Sequence, residues 1–216
     1  MTTTEVKIIV RNTTLEDIDE LVPMAIKGYG YEDMAPTKEK YKSHLKHFPE
    51  GQFCVEYGGK LIASCSSVLI NIEDYGENHT FNDVAGGGYI DNHNPNGKNL
   101  YGIDVVVHPD YRKMKVGKRL YEARRKLAKD MNLESIIFGG RIPNYQQYAD
   151  QMTAEEYVRK VLDGEIFDPV IVFQTRNGFE CKGVMKGYIP KDEESLGYAT
   201  LMEWKNPDYS PPAKQG

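Results

Sequence analysis

One segment near the middle of the chain constrains the fold more than any other. The run Leu100–Val107 is hydrophobic and ends in β-branched residues, which predicts a strand that stops at His108-Pro109. From Val116 to Met131 apolar residues recur at helical spacing, which predicts an amphipathic helix. Only residues 108–115 separate the two elements, so the first amides of the helix lie near the end of the strand. The chain is therefore expected to be a mixed α/β protein.

The same segment concentrates positive charge. Residues 112–129 contain nine basic side chains and one acid, Glu122, although the net charge of the chain is −5. Free amides at a helix N-terminus and the positive end of the helix dipole attract phosphate, so the loop predicts a polyphosphate site. A solvated basic helix face explains the same charge and stays an alternative. The net acidity argues against nucleic acid or a membrane surface as partner.

Predicted strands and helices alternate along the rest of the chain. Two β-rich runs at 52–57 and 60–70 flank Gly58-Gly59, which favours a hairpin. Between 71 and 98 periodicity disappears, which predicts a long surface excursion. The strand predicted at 135–138 is closed by Gly139-Gly140. Further strands are predicted at 6–10, 181–189 and 198–204, and further helices at 15–26, 37–48, 153–162 (with Leu162 inward) and 168–178.

Length and composition predict one globular domain. The chain has 216 residues, of which 40% are hydrophobic. We expect this domain at 1–205 and a flexible tail at 206–216. Neither a signal sequence nor an apolar run of about 18 residues occurs, which predicts no membrane segment. Cys54, Cys65 and Cys181 lack disulfide or zinc spacing, which predicts three buried thiols in a reducing cytoplasm.

The basic loop matches one type of phosphate site and not two others. Position 112, five residues before Gly117-Lys118, is arginine, so the Walker loop is excluded, and no G-x-G-x-x-G follows a predicted strand. The run from Val105 to Leu120, with its His-Pro exit and Gly117 opening the helix, resembles the acetyl-CoA motif of the GNAT superfamily of N-acetyltransferases. Element order agrees along nearly the whole chain, and Asn177-Gly178-Phe179 is similar to a later motif of that superfamily.

This resemblance implies a fold, a donor and a reaction. The fold is a central, mostly antiparallel twisted sheet flanked by helices. The acyl donor is acetyl-CoA, without a metal, and acetyl or another short acyl group passes directly to a primary amine of a small molecule or peptide. In such enzymes the strand backbone pairs with pantetheine and the loop amides hold pyrophosphate. The implied cofactor residues are Val105, Val106, Val107, Arg112, Lys113, Met114, Lys115, Val116, Gly117 and Lys118. Lys115 departs from the family pattern, which has glycine there.

Three residues are candidates for the chemistry. Asp104 occupies a position that is acidic in many relatives, and we expect it to be the base that deprotonates the amine. A strand-edge carboxylate that only bonds a neighbour is the alternative. Gln174 stands where the family has a general-acid tyrosine, and it cannot donate a proton to a thiolate. Tyr101, or else Tyr145 or Tyr148, is expected to replace that acid, unless the thiolate leaves unassisted.

An insertion before the last helix is expected to shape the acceptor pocket. It covers residues 141–167, and its candidate acceptor-binding residues are Arg141, Asn144 and Tyr145. Its sequence resembles the GNAT half of bacterial proteins that carry a carbon–nitrogen hydrolase domain downstream, which implies a hydrolase partner. Together with Gln174, this leaves open a non-catalytic acyl-CoA-binding module that regulates or docks onto such a hydrolase. A homodimer also stays open.

The remaining clusters predict little chemistry. His44 and His47 are spaced to bracket a metal but lack a third ligand, so solvated histidines are expected. Cys65 lies mid-strand, which favours packing over a nucleophilic role. Five acids between 71 and 98 would attract a cationic acceptor if they lay beside the site, and otherwise serve solubility. They are Glu73, Asp74, Glu77, Asp83 and Asp91.

Overall fold

A computed structural model describes residues 6–212 and contains a seven-stranded sheet flanked by helices. The strands are β1 (Ile8–Asn12), β2 (Phe53–Tyr57), β3 (Lys60–Ile70), β4 (Asn99–Val107), β5 (Ser135–Arg141), β6 (Glu180–Met185) and β7 (Ala199–Lys205). Their order across the sheet is β1-β2-β3-β4-β5-β7-β6. Every neighbouring pair is antiparallel except β4 and β5, which are parallel. The predicted fold class is confirmed.

The parallel pair separates after a short paired stretch. Only Asn99–Tyr101 of β4 pairs with β5, at Ser135–Ile137, although both strands continue. We call the gap beyond Tyr101 the fork. A register shift of β4 against β3 lies beside it, because Ser66 pairs with Asp104 whereas Ser67 pairs with Gly102. Such a bulge bends a strand and redirects its peptide groups.

Helices cover both faces of the sheet. They are α1 (Ile18–Tyr29), α2 (Lys38–His47), α3 (Phe81–Val84), α4 (Val116–Asp130), α5 (Ala154–Leu162) and α6 (Pro169–Arg176). Val106 packs with α1 and α2, whereas Val105 and Val107 pack with α4. Since neighbouring strand residues point to opposite faces, α1 and α2 lie on one side of β4 and α4 on the other. The predicted caps Thr153 and Asp168 accept hydrogen bonds from the first turns of α5 and α6.

Two predictions from the sequence, the end of β5 and the character of residues 71–98, are wrong. β5 does not end at Phe138 but runs through Gly139 and Gly140 to Arg141. A Cβ on Gly139 would lie 2.2 Å from the Tyr188 ring, so long-range packing selects glycine inside this strand. Residues 71–98 are not merely a surface excursion. Three of them, Val84, Ala85 and Ile90, are fully buried in the main core. α3 has only four residues, too few to show a helical period.

Two predictions for the second half of the chain are wrong. Leu162 is 47% exposed rather than inward, and β6 ends at Met185 rather than at 189. Within the predicted tail, the buried Asn206 side chain donates to Leu133 O at 2.8 Å and Ser210 N donates to Asn132 Oδ1 at 2.9 Å. The predicted tail also includes residues 213–216, which lie outside the described residues. No helix within 6–212 has the length and apolarity to cross a membrane.

Candidate active site

A cleft of about 1270 Å³ opens at the fork. Its walls come from both separated strands, from the ends of α1 and α4, and from α6. Val105, Val106 and Val107 all line it, so the β4 edge that β5 leaves unpaired faces the cleft. A ligand with amide groups can therefore pair with this edge as a further strand would.

The basic loop forms one end of the cleft. Arg112, Lys115 and Gly117 line it, and the first amides of α4 have no intrahelical acceptor. Lys115 has φ 58° and ψ 27°, a left-handed conformation that glycine adopts more easily. The backbone thus keeps the shape that the family glycine favours, while the lysine adds an exposed ammonium. Arg112 donates to the Gly28 carbonyl at 2.7 Å, which ties the loop to α1.

The four other predicted cofactor residues, Lys113, Met114, Val116 and Lys118, do not line the cleft. Val116 is fully buried, and Met114 packs beside it against the core behind the loop. Lys118 is exposed and forms an i,i+4 pair with Glu122 at 3.8 Å, and Lys113 is exposed. For these positions the prediction concerns backbone amides and is not tested by the side-chain positions.

Asp104 places an unpartnered carboxylate oxygen at the bulge. Its Oδ1 accepts from Ser66 N at 2.9 Å, so the neighbour bond foreseen as an alternative does exist. Oδ2 is inaccessible to solvent and has no hydrogen-bond partner within the described residues. Burial raises the pKa of Asp104 to about 6, opposed by the charge of Arg124 and the bond from Ser66. A carboxylate with one free oxygen and this pKa is suited to accept a proton near neutral pH.

Arg124 supports the bulge from the opposite face. The side chain is 2% exposed, and Nε donates to Ser67 Oγ at 3.0 Å. Nη2 donates to the carbonyls of Ser66 and Asp104, so one guanidinium joins β3 and β4 where their register shifts. A Cβ on Gly102 would lie 2.9 Å from Nη1. In the sequence Arg124 is only one charge of a basic face, and the feature that points to its inward position is this glycine within a hydrophobic strand.

Gln174 belongs to α6 and packs against β5, the second strand of the fork. It is 5% exposed, and its Oε1 has no partner within the described residues. A Cβ on Gly140 would lie 2.5 Å from this oxygen, so the glycine lets the side chain approach β5. Tyr121 also lines the cleft and was not predicted. Burial raises its pKa to about 12, and the nearby Gln174 opposes the shift, so its hydroxyl keeps its proton at neutral pH.

The tyrosines expected to replace the missing acid do not line the cleft. Tyr101 is fully buried, and its hydroxyl contacts His79 and Tyr188. Tyr145 and Tyr148 pack within the cluster of the insertion. Tyr188 does line the cleft, but the sequence had suggested only that it belongs to a strand.

Comparison with known proteins identifies the family. The model of the Acetyltransferase (GNAT) family matches residues 18–150. The chain belongs to the GNAT family. It is 52% identical over 212 residues to "Probable hydrolase YhcX" of Bacillus subtilis, covering 98% of this chain and 41% of that protein. It is 36% identical to "Uncharacterized N-acetyltransferase YkwB" of the same organism, over 93% of this chain and 89% of that protein.

A solved structure shares the fold over nearly the whole chain. It is "GphF GNAT-like decarboxylase in complex with isobutyryl-CoA", with a TM-score of 0.78, 19% identity and coverage of 92% of this chain and 99% of that chain. At this identity the likeness shows the fold alone. The GNAT fold inferred from the loop, the helix and the element order is thus confirmed.

Of the three residues predicted to bind the acceptor, only Arg141 lines the cleft. Its guanidinium is paired with Asp192 and with Glu194, the latter at 2.8 Å. Asn144 donates to Phe167 O at 3.3 Å and Tyr145 to Met152 O at 3.2 Å, and neither lines the cleft. None of the five loop acids lines it. The lysines that do line the cleft, besides Lys115, are Lys27, Lys40 and Lys191.

The histidines and cysteines outside the cleft chemistry behave as packing groups. His44 is buried rather than solvated, its Nε2 lies 2.8 Å from Gly88 O, and burial lowers its pKa to about 4. Residues 6–212 hold no group of three metal-binding side chains. Burial raises the pKa of Cys65 to about 11, which disfavours the nucleophilic thiolate. Cys54 is also buried, Cys181 is half-buried, and all three are unpaired.

Proposed function

We propose that the chain transfers an acetyl or short acyl group from acetyl-CoA to a primary amine of a small molecule or peptide. The observation that carries the proposal is the unpartnered Oδ2 of Asp104 at the fork. The edge of β4 that β5 leaves unpaired and the N-terminus of α4 line the same cleft. This arrangement puts a proton acceptor where the pantetheine arm of a bound coenzyme would end. The unpaired cysteines support the cytoplasm as the compartment.

The proposed division of labour follows from the residues. The amides at 113–118, with Arg112 and Lys115, hold the pyrophosphate of the donor, and Val105–Val107 pair with pantetheine. Asp104 removes a proton from the amine, because an ammonium has no lone pair for attack. The nitrogen then bonds to the thioester carbon, the carbon–sulfur bond breaks, and the thiolate leaves. Gln174 donates a hydrogen bond to the sulfur through its amide, but no proton.

A second function, binding of an acyl-CoA without transfer, is favoured by one observation. Gln174 occupies the place of the proton donor, and no tyrosine named from the sequence lines the cleft instead. The chain spans 41% of YhcX, which is called a probable hydrolase. A module that regulates a carbon–nitrogen hydrolase partner in response to acyl-CoA would need to bind the coenzyme in the cleft. It would not need to transfer the acyl group.

Charge reversal in the loop tests the donor site. We expect Arg112→Glu with Lys115→Glu to weaken acetyl-CoA binding at least about tenfold, because charge-assisted phosphate contacts are replaced by repulsion. Isothermal titration calorimetry measures the affinity, and dephospho-coenzyme A shows whether the remote phosphate contributes. Lys42→Glu with Lys46→Glu changes the net charge equally at exposed positions of α2 outside the cleft. Equal affinity in the two double variants would remove the loop from the donor site.

Turnover separates the two functions. Acetyl-CoA is incubated with a panel of primary amines, and both free thiol and acetylated amine are measured. Acetylated amine supports the transferase. Micromolar acetyl-CoA binding without product from any amine supports the binding module. Malonyl-CoA is included because GphF is described as a decarboxylase, and acetyl-CoA formed from it would favour that reaction instead.

A further inference from the structure

We propose that His79, Tyr101 and Tyr188 form a proton relay that accepts one of the two protons lost by the acceptor amine. This inference rests on the proposed function, since it concerns the same transfer. The relay adds His79 and Tyr188 to the catalytic machinery and gives the predicted residue Tyr101 a different role from that of a general acid.

Two hydrogen bonds join three buried side chains from separate parts of the chain. His79 Nε2 lies 2.8 Å from the Tyr101 hydroxyl, and that hydroxyl lies 2.9 Å from the hydroxyl of Tyr188. His79 and Tyr188 are each 3% exposed and Tyr101 is fully buried. Of the three, Tyr188 lines the cleft. The hydrogen bonds therefore lead from the cleft wall to an imidazole that is screened from solvent.

The partners fix the direction of these hydrogen bonds. His79 Nδ1 lies 2.9 Å from the Gly76 carbonyl, which can only accept, so Nδ1 carries a proton. In the neutral ring Nε2 is then an acceptor, and Tyr101 donates to it. The Tyr101 oxygen in turn accepts from Tyr188. Every proton in the relay then points towards His79, and the relay itself leaves a lone pair of the Tyr188 oxygen unused.

Packing holds Tyr188 against the fork. A Cβ on Gly139 would lie 2.7 Å from the Tyr188 hydroxyl oxygen, so the glycine allows this hydroxyl to lie directly on β5. The Phe81 ring packs edge-on at 6.1 Å, and Phe81 N donates to Tyr188 O at 2.9 Å. A hydroxyl fixed in this way needs little reorganisation when a proton passes.

Proton balance gives the relay its role. An ammonium that becomes an amide loses two protons, one before attack and one from the tetrahedral adduct. In the net reaction one proton reaches the thiol and the other reaches solvent. The single free oxygen of Asp104 holds one proton at a time, so a second acceptor lets both leave nitrogen within one turnover.

The proton transfers in the relay balance. A proton passes from nitrogen to Tyr188 while the Tyr188 proton passes to Tyr101 and the Tyr101 proton passes to His79 Nε2. Both tyrosines end neutral and His79 becomes an imidazolium, still bonded to Gly76 through Nδ1. The reverse shifts return the proton to water once the product has left.

The His79 ring lies among aromatic rings, with an acidic side chain nearby. It faces Tyr101 and Tyr188, and Tyr75 packs edge-on at 6.4 Å with its hydroxyl accepting from Asn92. The acid is Asp83 on α3, whose pKa is lowered by hydrogen bonds from Thr80 and, to a smaller extent, by the charge of His79.

Removal of single hydroxyls tests the relay in turnover. Propylamine is the probe acceptor, and kcat/KM for acetyl-CoA is measured against pH. We expect Tyr188→Phe and Tyr101→Phe each to lower the rate by at least about tenfold. The acidic limb of the logarithmic plot should become less steep, because one of two proton acceptors is lost. Tyr75→Phe removes a hydroxyl beside His79 but outside the relay, and should keep the wild-type profile.

A second measurement needs no acceptor. Nitrogen-15 NMR of the free enzyme reports the hydrogen bonds of the His79 ring nitrogens. We expect Tyr188→Phe to change the chemical shift of Nε2, although Tyr188 does not bond the ring, whereas Tyr75→Phe leaves it in place. An unchanged Nε2 chemical shift in Tyr188→Phe overturns the relay. Acetylation of propylamine with normal rates in the relay variants also overturns it and leaves the proposed function standing. A wild-type enzyme that acetylates no amine overturns both.

Discussion

Asp104→Asn lowers the rate of acyl transfer at neutral pH by about 10²- to 10⁴-fold, the usual contribution of a general base. The amide keeps the size of the side chain and can still accept from Ser66 N, so the bulge and the donor site should survive. Acetyl-CoA affinity by calorimetry is therefore expected to stay within about twofold, in line with the small effects of substitutions that leave contacts in place.

The pH profile makes this prediction specific. The pKa of Asp104 is raised to about 6 by burial, so the carboxylate becomes protonated, and activity falls, as the pH drops through this value. The asparagine variant should lose that ionisation. Asp163→Asn, at an exposed position after α5, is the matched control and should leave the rate unchanged. A variant of Asp104 with wild-type turnover across the pH range would exclude it as the base.

The fold could be predicted largely because its signals are local. The strand at 100–107, the basic loop and the helix from Val116 are adjacent in sequence, and each follows its own periodicity. Capping residues marked the starts of α5 and α6 for the same reason. β5 was shortened because Gly139 and Gly140 read as a turn, whereas Tyr188 and Gln174 pack onto them from distant segments.

Among the residues that line the cleft, most of those named from the sequence belong to a recognisable motif. The motif led to Val105–Val107, Arg112 and Lys115, all of which line the cleft, and to Asp104. It could not reveal that Arg124 turns inward to Ser67 or that Tyr188 reaches Tyr101 on β4, because those positions depend on contacts across 57 and 87 residues of sequence. His79 lies in a segment without periodicity, so no sequence pattern connects it with Tyr101. Such long-range polar pairs are set by tertiary packing.

Arg124→Ala is expected to lower the free energy of unfolding by about 3 kcal/mol, because it leaves a cavity and deprives buried oxygens of Ser66, Ser67 and Asp104 of their donor. Chemical denaturation followed by circular dichroism measures the change. Lys126→Ala removes an exposed cation two residues further along α4, and its effect should be small.

Arg124→Lys separates the charge from the geometry. A lysine keeps the positive charge that opposes protonation of Asp104. A single ammonium cannot reproduce the several guanidinium donors that join β3 to β4. We therefore expect the pKa of Asp104 to stay near 6 in Arg124→Lys and to rise above it in Arg124→Ala, since the charge that lowers it is gone. The midpoint of the acidic limb of the rate profile reports both. An unmoved midpoint in both variants would mean that the charge of Arg124 does not act on Asp104. An equal loss of stability in both would assign that loss to the guanidinium donors, which neither variant keeps, rather than to the volume of the side chain.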